Sequence, residues 1–252
     1  MRIAHALAAA GLALALAVGA PAAHADPTDP DTGVVPCTFS RAKLSPSSIT
    51  LGLSKEVTVK VTATASAGCA DDTDGASIGA NRDAADGYIN PSPGDPTRWV
   101  GSFEMDPDRL SNEDARTGSV YVDLGVVGGD DSFPLGEAEL EVLRATRLAA
   151  DAPGKVKKNK SFKVEGFLEK ANWEEGDHQY VSVDDWFVRI DSKPKGGKWT
   201  ELKEVMSGTG RKGGVLDFST KIKKETCFRF VYEGGLDHIA PVTKEAGCVK
   251  IK

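Results

Sequence analysis

The chain has 252 residues, of which 40% are hydrophobic, and its formal net charge at pH 7 is −6. This length supports two domains of about 100 residues each, with modest cores, once a leader is removed. An acidic chain that does not interleave basic with aromatic residues is not expected to bind nucleic acid.

The N-terminus predicts export. Arg2 precedes an apolar stretch that ends at Ala20, and Ala23-His24-Ala25 fits the small-x-small pattern of a signal peptidase site. We therefore predict a signal peptide over residues 1–25. The apolar stretch has about 14 residues where a membrane span needs about 20, so membrane insertion is not expected. Residues 26–36 are polar and rich in proline, which predicts a disordered lead-in.

Short segments of alternating apolar and polar residues follow the lead-in and continue to the C-terminus. In chain order they are residues 56–63, 98–103, 119–124, 137–142, 161–167, 186–190, 216–218 and 227–232. This alternation, together with a high valine content, predicts antiparallel strands that each bury one face. Only residues 107–115 suggest a helical turn. The predicted fold class is therefore all-β, with two tandem immunoglobulin-like β-sandwiches over residues 37–144 and 145–252.

The two predicted domains differ in charge. Residues 26–144 contain 21 acidic and 9 basic residues, whereas residues 145–252 contain 16 acidic and 21 basic residues. Such an asymmetry would steer a cationic ligand towards the first domain, although like-charged loops are more often simply solvated.

The four cysteines lie in two pairs that are local in sequence, Cys37 with Cys69 and Cys227 with Cys248. An even number of cysteines in an exported chain predicts disulfides. Four cysteines allow three pairings, and the spacing favours the local one. A zinc site is the alternative, but neither pair has CxxC spacing and the mature chain has only two histidines.

Two stretches of the chain carry a resemblance to a known group of proteins. Residues 155–166 read KVKKNKSFKVEG, and Ala171-Asn172-Trp173-Glu174 follows. Together they resemble the "PVKKGKTLTVTGKLTRANW" stretch in the C-terminal domain of uncharacterised exported actinobacterial proteins of the Streptomyces type. Asn112-Glu113-Asp114-Ala115 is similar to the "NxDAGTW" stretch of the same proteins. The resemblance implies export and an immunoglobulin-like C-terminal domain. It implies no activity, although some members are labelled calcium-binding.

Calcium is the one ion for which the sequence offers ligands. Asp71, Asp72 and Asp74 precede Gly75, and calcium binds carboxylates that alternate along a loop. The further ligands of a helix-loop-helix calcium site are absent at the required spacing, and an aspartate-rich turn between strands is the other interpretation. We predict no other cofactor.

We find no pattern that indicates catalysis. The motif HExxH is absent. His178 and His238 each follow an aspartate, and neighbouring residues on a strand point to opposite faces, so neither pair forms a catalytic dyad. Residues 208–213 match GxGxxG, but no helix pattern follows them. We therefore predict that the protein is not an enzyme.

Two groups of side chains are candidates for ligand contact. The first lies in a predicted loop over residues 171–184 and comprises Trp173, Asp177, His178 and Tyr180. Trp186 and Trp199, by contrast, are expected to fill the core beside Phe187 or Leu202. The second group comprises the lysines at positions 155, 157, 158, 160 and 163, which suit an anionic polymer. A solvated turn is the simpler interpretation of these lysines.

The leading prediction is a secreted, extracellular, non-enzymatic binding protein. Its expected partner is an extracellular protein or a cell-wall polymer, and neither its identity nor the oligomeric state follows from the sequence. A calcium-binding surface protein and an inhibitor of secreted proteases are the alternatives.

Overall fold

Strands make up most of the molecule. The computed structural model describes residues 38–67, 69, 76–80, 85–126, 129–174, 176–235 and 237–252. In this part of the chain, β-strands are accompanied only by short 3-10 helices, so the all-β prediction is confirmed. The helical turn expected over residues 107–115 consists of two such helices, Pro107–Arg109 and Asn112–Asp114.

The first strand set forms one eight-stranded sheet. Its strands are β1 (Phe39–Ser45), β2 (Ser48–Leu51), β3 (Val57–Ala65), β4 (Ala76–Ala80), β5 (Ala85–Ser92), β6 (Asp95–Met105), β7 (Thr117–Val126) and β8 (Gly129–Arg144). They are hydrogen-bonded in the order β1-β3-β6-β5-β4-β7-β8-β2. Only two residues join β1 to β2, yet these strands lie at opposite edges of the sheet. The sheet must therefore curl round so that its two edges meet.

The second strand set forms two sheets. Its strands are β9 (Thr146–Asp151), β10 (Lys155–Val156), β11 (Phe162–Asn172), β12 (Gln179–Ser182), β13 (Phe187–Pro194), β14 (Thr200–Met206), β15 (Val215–Thr220), β16 (Thr226–Tyr232) and β17 (Val242–Ile251). One sheet has the order β10-β17-β16-β13-β14. In the other, β11 pairs with β12 and β15 and also with β9.

In both strand sets, the first two strands are consecutive in the chain but pair with different neighbours. In the first set, β1 pairs antiparallel with β3, and β2 then pairs parallel with β8. In the second set, β9 pairs antiparallel with β11, and β10 then pairs parallel with β17. In both sets the chain thus begins on one strand partner and crosses to another before it continues into the remaining strands.

Each strand set buries its own apolar core, as the alternating pattern predicts. On β3, Val59 and Val61 are buried while Thr58 and Lys60 are exposed. The first core is centred on Trp99 and Phe103, and Phe39 meets the Trp99 ring edge-on. The second core contains Phe228, which packs edge-on against Phe218.

The link between the two strand sets is short and is held from both sides. Ala145 alone separates β8 from β9. Its N–H donates to the carbonyl of Leu51 at 2.8 Å, and its carbonyl accepts from the N–H of Ala171 at 2.8 Å. The described residues belong to one compact unit, and the division into domains at residue 144 stays a prediction.

Candidate functional site

The predicted metal and cysteine sites are only partly within the described chain. Asp71, Asp72 and Asp74 lie outside the described residues, as does Cys37. Among the residues that the structure describes, no three His, Cys, Asp or Glu side chains are grouped so that they could hold a metal ion. The predicted Cys227–Cys248 disulfide is confirmed and joins directly opposed residues of β16 and β17. Cys69 is buried and disulfide-bonded.

The predicted contact loop is largely structured, and its tryptophan faces inward. Strand β11 extends to Asn172, and β12 occupies residues 179–182, so residues 171–184 are not one long loop. Trp173 is only 2% exposed and packs in the core of the first strand set. Its indole N–H donates to the carbonyl of Gly52 at 2.8 Å. The expectation that Trp173 offers a contact surface is therefore wrong, because its ring and its donor are both used to join the strand sets.

A pair of asparagines completes this contact between the strand sets, which we call the joint and which comprises Asn112, Asn172 and Trp173. Asn112, from a 3-10 helix of the first set, donates through Nδ2 to Oδ1 of Asn172. The Oδ1 of Asn112 accepts from the backbone N–H of Trp173 at 3.1 Å. Asn172 is buried and donates in turn to the carbonyl of Asp177 at 2.8 Å. The amide groups thus satisfy each other in a region where unpaired polar atoms would be costly.

The remaining candidates of that segment also contribute to the joint. Asp177 accepts from the Nδ2 of Asn172 at 3.0 Å through its carboxylate. The Nε2 of His178 is 3.7 Å from a carboxylate oxygen of Asp108 in the first strand set. The guanidinium of Arg147 lies 3.5 Å from the centroid of the Tyr180 ring. The contacts described here for Trp173, Asp177, His178 and Tyr180 are thus with other residues of this chain.

A second polar group, formed by Arg144, Lys170 and Tyr232, lies near the joint and was not anticipated from the sequence. Arg144, the last residue of β8, is 6% exposed, and burial lowers the pKa of its guanidinium. Burial, and next the charge of Arg144, lower the pKa of Lys170. Burial also raises the pKa of Tyr232 to about 12. Within the described chain, the Tyr232 hydroxyl and the Arg144 Nε have no hydrogen-bond partner.

The outer face of the five-stranded sheet carries a buried carboxylate between two arginines. Val188 and Ile190 point into the core, so Arg189 and Asp191 lie on the opposite face of β13. Asp191 is 3% exposed and accepts from the Nε of Arg189 at 3.0 Å and from the Nε of Arg229 at 2.8 Å. Charge-assisted bonds of this kind are short and directional, so both guanidinium groups are fixed on the sheet.

Trp199, Phe187 and Leu202 do not fill the core as expected. The Trp199 ring lies under the Lys193 ammonium at 4.2 Å and under the Arg229 guanidinium at 4.7 Å. Phe187 is 64% exposed and Leu202 is 44% exposed. Phe187 is exposed because it is next to Val188 on β13. Successive residues of a strand point to opposite faces, and Val188 is the one that faces the core.

These exposed side chains form a feature that we call the apolar hairpin. It consists of Phe187 on β13 together with Leu202 and Met206 on β14. Phe187 and Met206 are directly opposed across the two strands. Leu202 lies where the pairing shifts by one residue, as at a β-bulge. β14 is the last strand of its sheet.

Comparison with known proteins identifies no family and finds only distant structural likenesses. No family model matches the chain, and no curated protein matches it. A marsupial T cell receptor is 12% identical over 86% of this chain and 72% of its own, with a TM-score of 0.32. The three N-terminal domains of the outer capsid protein Hoc of bacteriophage RB49 are 8% identical over 86% and 70%, with a TM-score of 0.35. A superoxide reductase variant from Ignicoccus hospitalis is 16% identical over 44% and 82%, with a TM-score of 0.31.

The fold is all-β, and its assignment to the immunoglobulin-like class stays a prediction. The resemblance to exported actinobacterial proteins stays a prediction. No helix within the described residues combines the length and the hydrophobicity needed to cross a membrane. The Cys227–Cys248 disulfide is consistent with an extracellular or periplasmic location.

Proposed function

We propose that the chain is a secreted, non-enzymatic binding protein that presents the apolar hairpin to another extracellular protein. One observation carries the proposal. Four large hydrophobic side chains are exposed in the described part of the chain, and three of them belong to this one hairpin. The fourth, Tyr88, lies on β5 of the first strand set.

The hairpin has the chemistry of a protein contact rather than of a stray exposed residue. Single exposed apolar side chains are common on protein surfaces, whereas clustered ones mark interaction sites. Phe187 and Met206 lie side by side, and aromatic residues and methionine are enriched at interfaces. Arg189 and Glu204, the next outward pair on the same strands, supply a polar rim.

The backing of the hairpin is rigid, which reduces the ordering cost of binding. Val188 and Val205 are paired directly beneath it and are both buried. Arg189 is fixed by Asp191 and also donates to Glu233. The side chains around Phe187 therefore need little rearrangement when a partner docks.

The experiment compares two positions that differ in surroundings and not in exposure. A photo-crosslinking residue is placed at Phe187 or, as the matched control, at Tyr88, and each protein is secreted from its native host. We expect a discrete crosslinked partner at position 187 that is absent at position 88. The partner is then purified, and Phe187→Ser/Met206→Ser should weaken its binding at least tenfold, whereas Tyr88→Ser should leave it unchanged.

Equal crosslinking at both positions, or binding that survives the double substitution, would refute the hairpin as the contact. Export is tested separately by N-terminal sequencing of the protein from the culture medium, where the expected first residue is Asp26. Hydrolytic activity of the purified protein that survives repeated purification would contradict the non-enzymatic part of the proposal.

A further inference from the structure

The end of the second strand set that is opposite the joint concentrates lysine. Four segments meet there, residues 155–160, 195–198, 221–225 and 249–252, which we call the lysine-rich end. They contain eleven lysines and a single acidic residue, Glu225. Eleven of the 21 basic residues of residues 145–252 therefore lie in four short segments.

Backbone hydrogen bonds bring the four segments together. The Asn159 N–H donates to the Ile222 carbonyl at 3.2 Å, which joins the first segment to the third. The Lys195 N–H donates to the Glu225 carbonyl at 3.3 Å, which joins the second to the third. Lys155 on β10 is paired with Lys250 on β17, which joins the first to the fourth. The lysines are therefore neighbours in space, although up to 97 positions separate them in sequence.

A repeated local pattern turns these lysines outward. Residues 155–157, 221–223 and 250–252 each read Lys-apolar-Lys. The central residues Val156 and Ile222 are buried, and Ile251 packs against the same core. Because alternate residues of an extended chain point to opposite sides, burial of the central residue directs both lysines to solvent. All eleven lysines are exposed.

The positive charge of this end is almost uncompensated. Lys195 lies 3.5 Å from the carboxylate of Glu225. Within the described residues, none of the other ten lysines has a carboxylate within 4 Å. Like charges held close together repel one another and attract counterions, and a polyanion that displaces those counterions gains free energy from their release.

The residue types restrict what can bind. The four segments contain no arginine, so planar, bidentate recognition of one particular anion is not provided. They contain no aromatic residue on which a nucleobase would stack. Trp199, which follows Lys198, is already covered by Lys193 and Arg229. The apolar residues are turned into the core, so none is offered to a lipid bilayer.

The arrangement favours a chain of charges over a single ion. β10, β17, β16 and β13 are consecutive in their sheet, and three strand spacings amount to about 14 Å. A single phosphate contacts one or two strand ends, whereas a flexible chain with regular charges contacts all four. Lysine binds phosphate as a mobile point charge, which suits repeated groups without fixed geometry.

We infer that the lysine-rich end binds a linear polymer of phosphodiester-linked polyols, of the kind found in cell envelopes. This site lies beyond the proposed function, because it is a second surface, at the other end of the strand set from Phe187 and Met206, with different chemistry. The polymer binds by charge along its chain, and its affinity rises with its length and falls with salt.

The test uses the full mature protein and a deacylated glycerol-phosphate polymer, with binding measured by calorimetry between 25 and about 200 mM salt. For the wild type, we expect the logarithm of the affinity to fall linearly with the logarithm of the salt concentration. Lys157→Gln/Lys158→Gln/Lys160→Gln should lower the affinity at least tenfold at the lowest salt and reduce the slope by about two. Lys43→Gln/Lys55→Gln/Lys60→Gln removes the same charge from exposed positions of the first strand set and should change the affinity less than twofold.

A second triple substitution, Lys221→Gln/Lys223→Gln/Lys224→Gln, should give the same loss, and it protects the test against misfolding of the first variant. Phe187→Ser/Met206→Ser should retain full polymer binding, so failure of the proposed function leaves this site standing. An equal loss in the control triple, or no binding by the wild type, would overturn the inference. Tighter binding of single-stranded DNA, chondroitin sulfate or phosphatidylglycerol vesicles than of the polymer would overturn the assigned ligand.

Discussion

The two ends of the second strand set are built in opposite ways. At the joint, Trp173 and Asn172 are buried, and their polar atoms bond to the first strand set. At the lysine-rich end the lysine side chains are exposed, and main-chain hydrogen bonds, together with the Cys227–Cys248 disulfide, hold the segments in place. The comparison teaches that the same strands can use side chains for cohesion at one end and leave them free for contact at the other.

The strongest test of this contrast substitutes one tryptophan at each end. Trp173→Ala should lower the free energy of unfolding by about 3–5 kcal/mol, because a fully buried ring is removed and the cavity does not close. Trp199→Ala removes the same side chain near the lysine-rich end, where the half-buried ring packs against Lys193 and Arg229, and should cost about 1–2 kcal/mol. Urea unfolding of both variants measures the difference. Equal losses would show that the two ends are not built differently.

Removal of the Cys227–Cys248 disulfide tests what holds the lysine-rich end. Cys227→Ser/Cys248→Ser should lower the free energy of unfolding by about 3 kcal/mol, because the unfolded chain gains freedom when a loop of this length is opened. Hydrogen exchange should accelerate in β16 and β17 near residues 226–228 and 247–249, while β11 at the joint keeps its protection. Acceleration that is uniform over both ends would contradict a local role for the disulfide.

Much of the fold was predictable because alternation reports directly on burial. The segments around Val59 and Val164 each bury alternate residues, and both form strands. In β14 burial follows the alternation only weakly, since six of its seven residues are exposed. A sheet-edge strand with little burial leaves only a weak signal in the sequence.

The candidate site was predicted less well, for a different physical reason. Trp173 is of a residue type that is common at contact surfaces. Its burial is explained only by partners far away in the sequence, Gly52 and Asn112. The lysines of residues 221–224 and 250–252 do not indicate a binding site when each segment is considered alone, because their proximity depends on which strand ends are adjacent. The Lys-apolar-Lys triplets were the available signal, because their common pattern predicts lysines on exposed strand ends.

The two asparagines of the joint should act as one unit. Asn112→Ala and Asn172→Ala should each cost about 1–2 kcal/mol, since each leaves a partly buried amide group of the other without this partner. The double variant should cost less than the sum of the two, with a coupling energy of about 1 kcal/mol. A double-mutant cycle by urea unfolding measures this coupling. Strict additivity would mean that the asparagines bond to water in solution and do not join the strand sets.

The smallest effect at neutral pH is expected at Tyr232, behind the joint. Within the described chain its hydroxyl has no hydrogen-bond partner. Removing that hydroxyl therefore leaves no partner unsatisfied, and Tyr232→Phe should change the free energy of unfolding by less than about 0.5 kcal/mol at pH 7.

At alkaline pH the same substitution should become visible. Burial raises the pKa of Tyr232 to about 12 in the folded protein, from 10.0 in the unfolded chain. The folded state therefore keeps a proton that the unfolded state loses, so this stabilisation is complete below pH 10 and is lost as the pH rises through about 12. By pH 11 the wild type should have lost about 1.4 kcal/mol that Tyr232→Phe retains.

Lys170 acts in the other direction, because its lowered pKa means that the unfolded chain holds the extra proton up to its own pKa of 10.5. Its contribution is the same in both proteins, so the difference between wild type and Tyr232→Phe isolates the phenol. Unfolding free energies at pH 9, 10 and 11 give that difference. Parallel curves would mean that water reaches the Tyr232 hydroxyl, and the joint end would then be less dry than the contrast with the lysine-rich end requires.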